Sequence, residues 1–344
     1  MNTISRFTLI FVLIILVIVL FLIISYSNKE EKKVIVYVSH DQDLSEPIIK
    51  EFEKINGIKV EALYDIEATK TVGLVNRLIA EKNNPQADVF WNNEMMRTIL
   101  LKNKDILQTY CSPNANDIPE IYKDSDCYWT GFGARARVIL YNKNFVSEKN
   151  EPNSIFNFTN PAWKGKVCMA NPLLGSTSTH MSALFVLLGD EKTKNLLLQF
   201  KDNNIQILES NSMVRDEVVI GNCCVGLTDT DDAYDALKEG KAVKMIFPDQ
   251  FDSGIGDLII PNAIMMIKGA KHPEDAKKFI DFILSSKVEE ELAKSALQMP
   301  LKRSSTVPEN VVDVKTLKSF NVSYDKVTEK LSFSNNFLQN IFIR

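Results

Sequence analysis

Apolar positions along this 344-residue chain fall into two regimes. Between Phe7 and Ile24, 17 of 18 residues are apolar, Thr8 being the exception. A helix over that run reaches about 27 Å, enough to cross a bilayer core. From Val34 onward the apolar residues come in short runs and helical stripes. Residues 34–38 read as a buried strand. Ile48, Ile49, Phe52 and Ile55 then recur at helical spacing, and Asn56-Gly57 ends that helix. Residues 58–64 read as the next strand. Residues 69–82 form a helix with Val72, Val75, Leu78 and Ile79 inward, stopped by Asn83-Asn84-Pro85, and residues 87–91 give a third strand.

The second half repeats this alternation with a different sequence. Strands are predicted at 138–141, 167–170, 205–208, 224–228 and 243–247. Helices are predicted from within Gly175–Thr179 to about Leu188, over 213–221 and over 232–239. Pro273, followed by Glu274 and Asp275, opens a helix whose inward face is Ala276, Phe279, Ile280, Ile283 and Leu284. Strands and helices in alternation with short links predict α/β architecture: two open, mainly parallel sheets in two lobes, preceded by the hydrophobic helix. No internal repeat interrupts the pattern.

Composition narrows the class. Apolar residues make up 45% of the chain, charged residues 24%, and the net charge is −4. Without the apolar run the remainder is about 42% apolar, a value for one or two globular units and not for a polytopic membrane protein. The charge balance gives no basis for nucleic-acid binding. The run exceeds a typical signal core and has no A-x-A-like site after it, so it is expected to export the body and either be removed or stay as an anchor. Its flanks, Arg6 before and Lys29, Lys32 and Lys33 after, would by themselves favour a cytoplasmic body. Five cysteines cannot all pair. Cys111 and Cys127 flank one loop and could bridge in an oxidising compartment, while Cys168 and one of Cys223 and Cys224 fall in strands.

Ligands of open α/β sheets bind beyond the carboxyl ends of the strands. That rule selects Ser39, His40 and Asp41 after the first strand, Glu67 and Thr69 after the second, and Asn92 and Glu94 after the third. In the second half it selects Ser176, Thr177 and Ser178 in a Gly-Ser-Thr-Ser-Thr helix start, which suits an anion, or merely caps a helix. It also selects Asp229, Asp231 and Asp232, three carboxylates within four residues. A helix start accepts one or two of them, and a third points to a cation or donors nearby. His180 falls in a helical pattern, as core or rim, and His272 at an exposed helix start. No G-x-S-x-G, Walker A or H-E-x-x-H motif is present, so no catalytic residue is assigned.

Several segments together give a resemblance. They are Ala-Asp-Val-Phe-Trp at 87–91, Trp-Thr-Gly-Phe-Gly-Ala-Arg-Ala-Arg at 129–137, Pro-Ala-Trp-Lys-Gly-Lys at 161–166 and Ala-Lys-Lys-Phe-Ile-Asp-Phe at 276–282. Over roughly residues 34–340 the chain resembles the extracellular solute-binding proteins of bacterial ABC importers, close to the ferric-iron-binding group. The resemblance implies the two-lobed type 2 periplasmic binding protein fold. Lobe I would comprise residues 34–133 with 262–344 and lobe II residues 134–261, after a signal segment or anchor at 1–33. The lobes would be joined by crossing strands and close on solute by a hinge.

The iron-binding members carry a tyrosine pair where this chain has Asp231-Asp232. His40, or Asp41, and Glu94 stand where first-lobe ligands would fall, and Gly175–Ser178 where an anion would be held. The expectation is therefore a non-enzymatic, monomeric binding component with no cofactor. It would take iron(III) or another hard metal ion, with an anion, on His40, Glu94, Asp231 and Asp232. The alternatives are a small cationic or zwitterionic solute such as an aminophosphonate, and a hydrolase on a similar scaffold. The resemblance also implies a separate permease and ATPase as partners, and a place outside the cytoplasmic membrane.

Overall fold

The structure, a computed structural model, describes residues 32–65 and 72–343. The apolar run at 7–24, Glu67 and Thr69 lie outside the described residues. Within them no helix is long and apolar enough to cross a membrane.

The first unit alternates β1 (Lys33–Val38), α1 (Gln42–Asn56), β2 (Lys59–Tyr64), α2 (Val72–Ala80), β3 (Val89–Asn92), α3 (Met96–Asn103) and the short β4 (Leu107–Gln108). β1 lies parallel to both β2 and β3, pairing Val36 with Ala62 and with Val89. Helix α1 ends as the sequence predicts, with Gly57 left-handed at φ 61° and its N–H on the Glu53 carbonyl. Its stripe is one residue narrower than expected: Ile48, Ile49 and Phe52 are buried, but Ile55, in the last turn, is 58% exposed. In α2 the buried residues are Leu74, Val75 and Leu78, while Val72 and Ile79 stay partly exposed.

The chain then runs through β5 (Thr130–Asn142), far longer than the 138–141 strand the pattern predicts. All 13 of its residues are buried, including Arg135 and Arg137, so period-two alternation does not mark its start. β6 (Val167–Ala170), α4 (Gly175–Leu188), α5 (Asp190–Asp202), β7 (Gln206–Leu208), α6 (Asn211–Ile220), β8 (Val225–Asp229), α7 (Thr230–Lys238) and β9 (Val243–Ile246) follow. β10 (Ile259–Ile267), α8 (Pro273–Ile283), α9 (Ser286–Ala296) and α10 (Tyr324–Leu338) complete the order.

Strand order is β2-β1-β3-β10-β5-β8-β6-β7. β5 is the join. Its first half pairs antiparallel with β10, Thr130 opposite Ile264, and its second half pairs antiparallel with β8, Arg137 opposite Asp229. The β5–β10 register shifts between Pro261 and Asn262. Proline cannot donate to a ladder, and such a break bends the strand. β6 and β8 run parallel, so the starts of α4 and α7 come up side by side at the carboxyl edge of the second sheet.

The main core continues across both sheets. Phe52 meets Phe279 edge-on at 5.0 Å, and Trp91 meets Phe132 at 5.4 Å. α8 buries Ala276, Phe279, Ile280 and Ile283 as patterned. His272 before it is not simply solvated: its Nδ1 lies 2.8 Å from buried Asp88, whose other oxygen accepts the His272 N–H. Cys111 and Cys127 form a disulfide, and Cys168, Cys223 and Cys224 are buried thiols. Helix α10 was not anticipated; it lies against α4, with Phe185 edge-on to Phe333.

Candidate functional site

A cleft of about 550 Å³ opens between the two sheets. One wall carries Asp41, Asp43 and Leu44 at the start of α1, Asn93 after β3, and Ser295 of α9. The other carries the α4 start, the α6 start and the β8–α7 junction. Among the described residues, seven carboxylates line it against three basic side chains, Arg135, Arg215 and Lys238.

The acidic junction follows from its local sequence. Asp229 ends β8 in an extended conformation and stands at the N-cap of α7, with Asp231 and Asp232 in the first turn, where the helix dipole favours negative charge. The three residues can bring carboxylate oxygens within 4.8 Å of one another. At that spacing like charges raise one another's energy unless cations or donors offset them.

β5 provides the offset. Arg135 and Arg137 are two residues apart on a strand and share a face. Arg137 is fully buried; its Nη1 lies 2.6 Å from Asp229 Oδ1 and donates at 3.0 Å to Ser176 Oγ and to Asn211 Oδ1. Its Nη2 donates to Thr177 Oγ1 and to the Leu227 carbonyl. The second Asp229 oxygen accepts from Ser176 Oγ at 2.7 Å and Asn211 Nδ2 at 3.0 Å. Burial disfavours the Asp229 charge, but Arg137 and Arg135 outweigh it and hold its carboxyl below the usual range. Arg135 Nη1 reaches Asp229 at 3.4 Å and Asp231 at 3.8 Å, and its Nη2 donates to the Asn93 carbonyl on the opposite wall. Burial works against its charge, yet Asp231, Asp229, Asp41 and Asp232 together raise its pKa.

Helix α4 presents its start differently from the simple cap the sequence allows. Leu174 is its N-cap and makes no side-chain cap bond. The Ser176 hydroxyl turns to Asp229, not back onto its own helix. The first-turn amides of α4 therefore receive no side-chain acceptor from the cap and lie on the cleft wall, an arrangement that suits an anion. Asn211, at the start of α6, is brought to Asp229 because Gly226 lets α6 press on β8: a Cβ there would come 2.5 Å from Val214 Cγ1.

The expected residues divide. Asp41, Ser176, Thr177, Asp229, Asp231 and Asp232 line the cleft. Ser178 is buried one turn behind, donating to Asn335 of α10. Ser39 is buried and donates to Asp65 at 3.4 Å. Asn92 is buried, its amide on the Glu94 carbonyl and on Thr98.

Glu94 is off the cleft. Its carboxylate caps α3 through the Met96 and Arg97 amides at 2.6 and 2.9 Å, and also accepts from Thr179 of α4 at 3.0 Å. His40 is buried with its Nε2 on Gln298 at 2.8 Å. The four expected metal ligands are thus not assembled: Asp231 and Asp232 stand together, while Glu94 and His40 are engaged by helix α3 and Gln298. Tyr234, the tyrosine nearest in sequence to Asp231-Asp232, does not line the cleft; its hydroxyl accepts from Asn310 at 3.4 Å.

Residues that shape the cleft and were not singled out from the sequence include Arg135, Arg137, Asn211, Asp43 and Arg215. The two arginines carried a signal, since basic residues at i and i+2 in an otherwise apolar strand share one face and need buried partners. Asn211 carried none.

Residues 47–318 match the profile of the family described as bacterial extracellular solute-binding protein. Iron uptake protein A1 from a Synechocystis species is 26% identical over 315 residues, covering 88% of this chain and 85% of the relative. The crystal structure of iron-bound HitA from Pseudomonas aeruginosa superposes with a TM-score of 0.82 at 20% identity, over 90% of this chain and 99% of that one. AfuA from Actinobacillus pleuropneumoniae, solved with fructose-6-phosphate bound, gives 0.81 at 21% identity over 91% and 99%. These likenesses place the fold among the two-lobed periplasmic binding proteins.

Proposed function

Because the chain belongs to the family of bacterial extracellular solute-binding proteins, we propose that it is the capture component of an ABC-type importer and that its cargo is iron(III) or a similarly hard cation taken with an anion. The observation that carries this reading is the pair of opposed features on one cleft. The Asp229, Asp231 and Asp232 carboxylates can converge within 4.8 Å, and the α4 start at Ser176 and Thr177 lies beside them. Asp229 is committed to Arg137, so Asp231 and Asp232 are the ligand carboxylates, with Asp41 offered from the facing wall. Hard cations take oxygen donors of this kind. The synergistic anion sits on the first-turn amides of α4.

In this reading residues 34–133 with 262–344 and residues 134–261 are the two lobes, β5 and β10 carry the hinge, and cargo bridging the walls drives closure. A membrane permease with its ATPase receives the cargo, and the apolar run at 7–24 exports the body and tethers it near them. The protein acts as a monomer without a resident cofactor. Hydrolysis is disfavoured: Ser176 donates to Asp229, whose carboxyl is held acidic by two arginines and is a poor base.

A second cargo class has its own support. The described cleft wall holds no tyrosine, and about 550 Å³ accommodates far more than an ion. A zwitterion such as an aminophosphonate would set its phosphonate on α4 and its ammonium against Asp231 and Asp232. Thermal unfolding of the purified protein separates the two, since a bound ligand stabilises by RT ln(1 + [L]/Kd). Iron(III) citrate raises the melting temperature and a chelator reverses it if the cargo is the metal. A rise with 2-aminoethylphosphonate that survives chelator replaces that reading with the second.

A further inference from the structure

A second set of polar side chains, outside the acidic junction, links the bend between the sheets to the cleft wall. Asn262 sits at the register shift of β10. Its Nδ2 donates to the Gly133 carbonyl at 2.6 Å and to Gln298 Oε1 at 2.7 Å. Gln298 Nε2 lies 2.8 Å from His40 Nε2, and His40 Nδ1 lies 3.3 Å from the Asp41 carbonyl. All three side chains are buried. Gly133 has φ +42°, and a Cβ there would meet Gln298 Oε1 at 2.9 Å. The neighbouring backbone is locked to the same segment: Ala134 and Met299 exchange both N–H···O bonds, at 2.8 and 2.7 Å.

The direction of these bonds is forced. A carbonyl only accepts, so the atom Asn262 presents to Gly133 must be its NH₂. That NH₂ also faces Gln298, which must present its oxygen there and its own NH₂ to His40. His40 Nε2 must then be the acceptor, which places the neutral ring's proton on Nδ1, toward Asp41. Backbone geometry at the bend thus selects a histidine tautomer beside the cleft, through amides whose orientation would otherwise be ambiguous.

We infer that Asn262, Gln298 and His40 are positioning residues for Asp41, joining the Gly133 bend to the first-sheet wall so that hinge geometry and wall geometry change together. The relay rests on the reading of this cleft as the solute site, and deepens it: His40 serves as a strut, with its Nε2 lone pair given to Gln298 and not to cargo. Nothing in it depends on which solute is carried.

The test uses ¹⁵N-histidine spectra of the solute-free protein, with the His40 signals identified by their loss in His40→Gln. The expected wild-type pattern is a protonated Nδ1 and a bare Nε2. In Gln298→Glu the carboxylate still accepts from Asn262 but cannot donate to His40, so the proton is expected on Nε2. A wild-type proton on Nε2, or an unchanged pattern in Gln298→Glu, overturns the relay. Should that variant not fold, Asn262→Asp, whose carboxyl presents an acceptor where Asn262 presented its NH₂, turns the Gln298 NH₂ away from His40 and must also bring a proton onto Nε2, and an unchanged pattern overturns it equally.

Hydrogen exchange gives the coupling. His40→Gln should speed exchange of the Ala134 and Met299 amides at least about threefold while β2 stays unchanged, and no change at the bend overturns the inference. With iron(III) citrate as probe, Gln298→Glu should weaken binding at least about fivefold, and unaltered affinity in a protein that binds the probe overturns the role for Asp41. A wild-type protein that binds no iron(III) refutes the metal reading alone, because the tautomer and exchange results do not involve the probe.

Discussion

Arg137 Nη1 lies 2.6 Å from Asp229 Oδ1, with both side chains shut off from solvent. The pair is the pivot of the second-sheet wall: Ser176, Thr177 and Asn211 are all hydrogen-bonded to one partner or both. Removing one member of a buried pair leaves the other charge uncompensated, at a cost of about 3–5 kcal/mol. Asp229→Ala should therefore lower the unfolding free energy by about that amount in urea titration. Asp229→Leu with Arg137→Met should lower it by less than the two single changes added together. Additive losses would show that the two side chains do not act as a pair.

His180 gives a pH signature. It is 1% exposed on α4, its ring edge-on to Phe320, and neither ring nitrogen has a protein partner among the described residues. Burial, with the nearby Arg137 charge adding to it, lowers its pKa from 6.5 to about 3. Between those values the unfolded chain binds a proton that the folded chain does not. Stability from this group is complete above pH 6.5 and falls by up to about 1.4 kcal/mol per unit as pH drops toward 3. His180→Phe should reduce the loss between pH 6.5 and 4.5 by about 2–3 kcal/mol, read as the difference between two denaturation series. Parallel series for the two proteins would assign the acid sensitivity to other groups.

The disulfide should matter to stability and not to the cleft. Cys111 and Cys127 are 16 residues apart and close the segment that leads into β5, which Tyr110 also clamps by donating its N–H to the Cys127 carbonyl. A loop of about that length is worth about 3 kcal/mol in the chain-entropy treatment. Cys111→Ser with Cys127→Ser should lower the melting temperature, and dithiothreitol should do the same to wild type only. Neither residue lines the cleft, so solute affinity measured well below the melting temperature should be unchanged.

Legibility from sequence was set by which forces act locally. β6 and α4 fall where the pattern puts them, because a four-residue apolar run and a Gly-initiated helix depend on their own residues. The first half of β5 escaped because every position in it is buried and nothing alternates. The acidic junction was readable, since three carboxylates in one turn need an external reason. Its reason, Arg137, is 92 residues away in sequence. Glu94 and His40 were legible as chemistry-bearing residues at strand ends but not as occupied ones. A glutamate two residues before a helix is equally a cap, and the Gln298 that claims His40 lies 258 residues later. Strand-end position selects candidates; only packing across the chain decides which keep their lone pairs.

Asp232 separates cargo binding from stability most cleanly. It stands with Asp229 and Asp231 in a group whose oxygens lie within 4.8 Å, and it accepts a long hydrogen bond of 3.5 Å from Thr228 Oγ1. Asp229 by contrast is held by Arg137 at 2.6 Å. Asparagine at this position removes the repulsion from Asp229 and Asp231 in the solute-free protein and keeps a side-chain oxygen that accepts hydrogen bonds. Asp232→Asn should therefore leave the melting temperature without solute unchanged or raised. The same change takes a charge from the cation side of the cleft and should weaken iron(III) binding by calorimetry at least about tenfold, or about 1.4 kcal/mol. Opposite signs for apo stability and affinity mark a carboxylate placed for cargo. A variant that is less stable and binds unchanged would instead make Asp232 part of the helix start, and would move the cation site to Asp41 and Asp231.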